Sequence, residues 1–297
     1  MAITQFVVNG LLVGALFAAV AVGFALIWGV VDIINLAHGE MVMLGGYVSY
    51  WVLTFLMGEA TASPLVALAS VFVSVAVLFG VGYALQRALV ARVTDEDLFL
   101  TLLVTFGLSI VIQQLALQAW SADPRTVTVQ FAQQSMNLGG IIVPKMKLLA
   151  FVGAIVLTAL LYVFLTNSRT GRSIRAVSQN AEAAALVGVD VEHTRATTFG
   201  LSSAIAGGAG AFIAMILKVE PQMGLIYTLK SFVIVVFGGI GSVPGALVGG
   251  LLLGTVEQLT TGIVSSKWTL AVSFSLLIVL LVVKPSGLFG DSVEGEA

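Results

Sequence analysis

Apolar stretches of about span length, separated by short polar breaks, organise the chain: 6–31, 41–57, 64–86, 98–119, 148–165, 197–217, 243–260 and 268–283. A helix needs roughly 20 apolar residues to cross a bilayer, so these eight runs each predict a spanning helix. A ninth run, 231–240 (SFVIVVFGGI), is too short to cross unaided and ends in glycines. Runs of about 10–14 residues are often re-entrant or broken helices, and such backbone is tolerated only inside protein or beside water. The expected fold is all-α: a polytopic membrane bundle of eight clear spans plus one short broken or re-entrant segment.

Polar residues interrupt this pattern at a few positions. In 98–119, Thr101, Thr105, Ser109 and Gln113 recur every four residues. Each step drifts about 40°, so the four cover about 120° of one helix face. Polar groups there turn toward the bundle or a water-filled path rather than lipid. The alternative is hydroxyls bonding back to helix carbonyls, with Gln113 packed between helices. Gly10-Gly14, Ala19-Gly23, Gly245-Gly249 and Gly250-Gly254 are small-xxx-small pairs, read first as helix contacts. The stretch GGIGSVPG (238–245) reads as a broken helix or a tight re-entrant turn. In 120–147, the alternation in RTVTVQF suggests a β-hairpin.

Composition confirms what solvent the pattern requires. The chain is 59% hydrophobic and 9% charged, with a mean hydropathy of +1.08. Soluble domains are about 25% charged, so most of this surface faces lipid. The net charge of −2 gives no case for nucleic acid, and the absence of cysteine excludes disulfides and thiolate metal sites. The first residues lack a basic n-region and a small-residue cleavage site, so no cleaved leader is read. Arg169, Arg172, Arg175 and Arg195 in the 166–196 loop share a side with Arg87 and Arg92, and the positive-inside bias puts that side in the cytoplasm. Arg125, Lys145 and Lys147 then fall outside, against the bias.

Two polar clusters are candidates for function. DIINLAHGE (32–40) joins the first two spans. Gly39 suits a break with positive φ, and Glu40 would open the next helix at its positive end. Asn35 and His38 would satisfy freed backbone groups or line a solute gate. As a metal or catalytic centre the cluster is poor. His38 and Glu40 lie about 200° apart on a helix, a catalytic metal needs three or more ligands, and no nucleophile–base pair is spaced for hydrolysis. In the 166–196 loop, EAAALVG places Glu182, Ala183, Ala184 and Gly188 on a short helix. Ala181, Ala184, Ala185 and Gly188 would form a flat face of small residues for docking another protein. Glu257 is a candidate internal polar group, and Lys230 reads as snorkelling to the interface.

EAAALVG resembles the start of the cytoplasmic loop by which bacterial ABC importer permeases contact their ATPases, without that pattern's I-x-L-P end. INLAHGEMVMLGGY (34–47), RAVSQNAEAAALVGVD (175–190) and FGGIGSVPGALVGGLLLGTVE (237–257) resemble the permeases of branched-chain amino acid ABC importers, the LivH-like group, and the likeness runs through nearly the whole chain. The resemblance implies a single transmembrane permease domain, 1–297, with a coupling loop at 166–196, in the bacterial inner membrane. It implies a second permease subunit, two cytoplasmic ATPases and a periplasmic or extracellular binding protein as partners. It also implies inward transport of branched-chain amino acids by alternating access. ATP would be bound by the partners, since no G-x-x-x-x-G-K-[ST] occurs here. Path candidates are Thr101, Thr105, Ser109, Gln113, Asn35, His38 and Glu257; coupling candidates are Arg175, Glu182, Ala183, Ala184 and Gly188. Urea and short amides are the neighbouring substrates, and a stand-alone secondary transporter or channel is the alternative mechanism. The spans are almost free of the buried acidic or histidine relays that such carriers use.

Overall fold

The computed structural model describes residues 2–57, 64–93, 98–127, 134–284 and 287–288. Its helices are α1 (Ala2–Val31), α2 (His38–Met57), α3 (Pro64–Ala88), α4 (Leu98–Trp120), α5 (Lys145–Asn167), α6 (Arg169–Gln179), α7 (Ala181–Leu186), α8 (Val191–Ala214), α9 (Gly224–Gly238), α10 (Val243–Ile263) and α11 (Thr269–Val283). A hairpin of β1 (Ser135–Leu138) and β2 (Ile141–Pro144) precedes α5. It lies downstream of RTVTVQF, where Arg125 instead forms an isolated bridge with Val219; 128–133 fall outside the described residues.

Among the described residues, seven helices are long and apolar enough to cross a membrane, not eight: α1, α3, α4, α5, α8, α10 and the segment ending in α11. α2 differs because its first turn, His38-Gly39-Glu40, is polar, and α9 because it has only 15 residues.

Two helices form the axis. The most apolar windows of α1 and α8 are each 89% buried, against 22% for α4 and 11% for the segment ending in α11. Small residues permit this. On α1, a methyl at Gly14 would lie 2.8 Å from the Gly250 carbonyl of α10. On α2, one at Gly45 would overlap the Gly207 backbone of α8. Lipid contributes little drive to helix association, so close backbone approach and dispersion supply it.

Contacts fix the direction of each helix. Tyr83 of α3 meets His193 of α8 at one end, which also holds α6 and α7. At the other end Gln5 of α1 bonds Ile142 of the hairpin. α9 starts inside the bundle, with Gly224 against Glu40, and runs toward the α6 end. GGIGSVPG closes the tight turn from α9 to α10: Gly239 and Gly241 take φ of 100° and 75°, and Ser242 caps α10 through Gly245 N–H.

Candidate functional site

α1 ends at Asp32, whose left-handed φ of 58° turns the chain back into the bundle. The break expected at Gly39 therefore occurs seven residues earlier, and Gly39 sits in the first turn of α2. Its lack of a side chain is still required, because a methyl there would overlap the Gly224 carbonyl of α9.

The 33–37 link is held by side chains from two other helices. Thr105 Oγ1 of α4 accepts from Leu36 N–H at 3.2 Å. Thr228 of α9 donates to the Leu36 carbonyl at 3.2 Å, and its oxygen accepts from Gly39 N–H at 2.8 Å. Asn35 caps the turn, its Oδ1 accepting from Ala37 N–H at 3.0 Å. His38 is fully buried. Its Nε2 lies 2.9 Å from the Val20 carbonyl; a carbonyl only accepts, so Nε2 carries the hydrogen. Phe24 packs edge-on against the ring at 5.4 Å, and Ser202 Oγ lies 3.5 Å from Nδ1.

Glu40 sits where two helices begin. It is in the first turn of α2, and its carboxylate also packs against Gly224, the first residue of α9. α9 has no side-chain cap of its own. Both positive helix ends therefore face this carboxylate. Ser109 donates to Oε1 at 3.0 Å, while Oε2 is buried and meets no donor. Ser109 is the middle residue of α4 and Ser202 lies at the middle of α8, so the cluster is at mid-height. Half-helices whose ends converge at mid-depth are a recurrent way for membrane transporters to build a solute site.

The remaining path candidates divide. Thr101 and Thr105 are buried on the α4 face that carries Ser109, and Thr101 donates to the Val93 carbonyl at 2.9 Å. Gln113 is half-buried on the same face. Glu257 belongs elsewhere, in a second polar group. Its Oε2 pairs with Lys230 Nζ at 2.6 Å, Ser273 of α11 donates to Oε1 at 3.1 Å, and Lys230 Nζ lies 4.1 Å from the Phe17 ring centroid. This overturns the snorkelling reading of Lys230: its side chain is 14% exposed and turns inward.

The coupling candidates need correction too. α7 is only six residues, Ala181–Leu186. Ala184 is buried against the chain's own helices, so it offers no face to another protein. Gly188 lies beyond the helix with φ of 87°. Glu182 and Ala183 are exposed. Arg175 is spent on this chain, donating to the Leu165 and Thr166 carbonyls at the end of α5. The apolar groups that do face outward are Leu186 and Val187, at 89% and 80% exposure.

Sequence reasoning missed Thr228, Ser202 and Gly224, whose partners lie far away along the chain; Thr228 and Gly39 are 189 residues apart. It also missed Leu186 and Val187, although two large apolar residues beside a glycine in a polar loop were a usable signal. Among the described residues, no group of three or more His, Asp or Glu side chains is placed to hold a metal.

Residues 6–281 match the family described as the branched-chain amino acid transport system / permease component. The chain is similar to the high-affinity branched-chain amino acid transport system permease protein BraD of Pseudomonas aeruginosa, with 32% identity covering 96% of this chain and 95% of that one. It is also 32% identical to the corresponding LivH protein of Escherichia coli, covering 95% and 94%. A fructose import permease protein, FrcC of Rhizobium meliloti, is 33% identical over a shorter stretch, 42% of this chain and 36% of that one.

Proposed function

The chain belongs to the family of branched-chain amino acid transport permease components, and on that footing we propose that it is the membrane-spanning subunit of an ABC importer, carrying branched-chain amino acids inward. It is a transporter subunit and does no bond chemistry. The observation that carries the path assignment is the mid-height cluster of His38, Glu40, Ser109 and Thr228, where the starts of α2 and α9 converge. Asn35, Thr101, Thr105 and Gln113 border it. Glu257 is a strut tying α9, α10 and α11 rather than a group met by solute.

The end bearing α6 and α7 is assigned to the cytoplasm. Counting α2 with its re-entrant link and α9 with its preceding segment, the chain then changes sides nine times, which supports an external N-terminus and an internal C-terminal end. Partner ATPases would dock on α7 and its C-cap through Glu182, Ala183, Leu186 and Val187, while Arg175 holds α6 against the end of α5 and Ala184 packs α7 against the bundle. A second permease, the ATPases that bind ATP, and an external solute-binding protein complete the assembly. The setting is the bacterial inner membrane, and the chain is one permease domain with 166–196 as its coupling loop. Solute movement follows from closure of the ATPases against α7, which rocks α6, α8 and the helices packed on them.

The test is uptake of labelled leucine, isoleucine, valine and urea by cells with and without the gene. Loss of leucine, isoleucine and valine uptake is expected. Intact uptake of these with lost urea uptake would move the substrate to the amide class.

A further inference from the structure

Arg125 contradicts the charge bias that orients the chain, and the structure shows what it does at that end. Its backbone is tied to Val219 by bonds of 2.8 Å in both directions. One guanidinium nitrogen donates to the Trp120 carbonyl at 2.9 Å. The guanidinium carbon sits 5.4 Å from the ring centroids of both Tyr50 and Trp51. Tyr47 stacks on Trp120 at 4.2 Å with 17° between the planes. A cation is thereby held against the rings of Tyr50 and Trp51, beside the stacked pair Tyr47–Trp120, at the opposite end from α6 and α7.

Three polar atoms in this cluster are buried and have no partner: Arg125 Nε, Trp51 Nε1 and the Tyr47 hydroxyl. Each can donate a hydrogen, and two can only donate. Burying a donor unpaired costs about 1–3 kcal/mol, so three donors carried by residues packed around Arg125 would be stabilised by a shared acceptor. Arg125 also lacks an anion: among the described residues, the one ion pair is Lys230–Glu257, elsewhere in the bundle. Glu220 follows Val219, the residue to which the Arg125 backbone is bonded, so a carboxylate and a guanidinium are carried at the same end without forming an ion pair among the described residues. Tyr47 stands seven residues beyond Glu40 on α2, two turns further out on the same face.

We propose that Arg125, Trp51 and Tyr47 form an entry site for the carboxylate of a small zwitterion, whose aliphatic side chain rests on the aromatic rings and whose ammonium faces Glu220. A planar guanidinium with adjacent N–H and O–H donors matches carboxylate geometry. Tyr50, Trp51 and Arg125 are half-buried while Tyr47 is fully buried behind them, so the rings supply apolar contact at the rim and the donors lie deeper. The site rests on the solute-import reading and adds to it where solute first meets this chain.

The experiment uses the full chain in lipid nanodiscs and follows tryptophan fluorescence, since Trp51 and Trp120 are two of the four tryptophans. The probes are leucine, isovalerate, which lacks the ammonium, and leucinol, which lacks the carboxylate. Leucine and, more weakly, isovalerate should produce a saturable change; leucinol should not. Arg125→Gln should weaken leucine about ten- to a hundred-fold, as expected for losing a charge-assisted bidentate contact. Trp51→Phe keeps a smaller aromatic ring, removes the N–H and leaves Trp120 as the reporter, and should weaken leucine several-fold; it decides the matter if Arg125→Gln does not fold. The site is overturned if leucinol binds like leucine, if no carboxylate changes the signal, or if the folded variants bind leucine as before. Uptake by the assembled transporter separates the two ideas. Leucine uptake without carboxylate binding removes the site alone, and carboxylate binding without uptake of any branched-chain amino acid removes the import reading alone.

Discussion

Replacing Glu257 by Gln would strand the Lys230 ammonium inside the bundle. The pair is tight at 2.6 Å, and the two side chains are only 14% and 8% exposed. Ser273 and the Phe17 ring complete their surroundings, so little water is available to take over from the carboxylate. Breaking one partner of a buried pair costs about 3–5 kcal/mol, chiefly because the other charge stays desolvated. Replacing both partners by apolar residues of similar volume removes two desolvation penalties together with the attraction, and is often close to neutral. The expected order of stability is therefore wild type and Lys230→Met/Glu257→Leu together at the top, with Glu257→Gln and Lys230→Met well below. Unfolding in detergent or nanodiscs, followed by helical circular dichroism, gives the four corners of a double-mutant cycle. A coupling of several kcal/mol is expected. If Glu257→Gln is as stable as wild type, or the double variant is as damaged as the sum of the singles, Lys230 is finding water and the buried-pair argument fails.

Gly45→Ala should abolish most folded protein, because the added methyl meets the Gly207 backbone and not a side chain that can rotate away; overpacking typically costs about 1–3 kcal/mol, and the upper end applies here. Thermal unfolding of the purified variant checks this, and a wild-type midpoint would count against the close α2–α8 approach. Ser109→Ala removes the one donor that Glu40 has among the described residues, a change of about 1.5–3 kcal/mol for a bond to a charged group; leucine uptake should fall, and unchanged uptake and stability together would dismiss Ser109 as a path residue. Leu186→Glu with Val187→Glu should leave the chain folded and sever uptake from ATP hydrolysis. Ala184→Glu should instead lower the yield of folded chain, and the reverse pattern would restore Ala184 as the docking face.

The apolar runs were readable because a bilayer needs length and hydropathy before anything else. α3, α4, α5 and α10 accordingly begin and end within a few residues of their expected limits. The four-residue spacing of Thr101, Thr105 and Ser109 also located the inward face of α4, since lipid leaves polar side chains only one direction to point. What they point at was not readable. Glu40 and Gly224 meet through chain reversals at opposite ends of the bundle. The partner of Lys230 is 27 residues further along, on another helix. Ala184 was misassigned for a related reason: small residues mark a close contact, and the sequence does not say whether the neighbour is the same chain or another. Polar and small residues identify interfaces, whereas the identity of both sides comes only from the fold.

The bond from Gly39 N–H to Thr228 also sets an order of events during biogenesis. These residues are separated by 189 positions, which at roughly 5–20 residues per second of synthesis is a delay of about 10–40 s. Throughout that interval the polar start of α2 has emerged while half of its final surroundings has not yet been made. Until α9 arrives, His38, Gly39 and Glu40 must wait near headgroup water or in the shelter of an insertion chaperone, and α2 reaches its final depth only late. Truncated chains ending before Thr228 should therefore leave α2 open to labelling by a water-soluble reagent, a vulnerability that follows from building the centre of the bundle out of two helices made far apart in time.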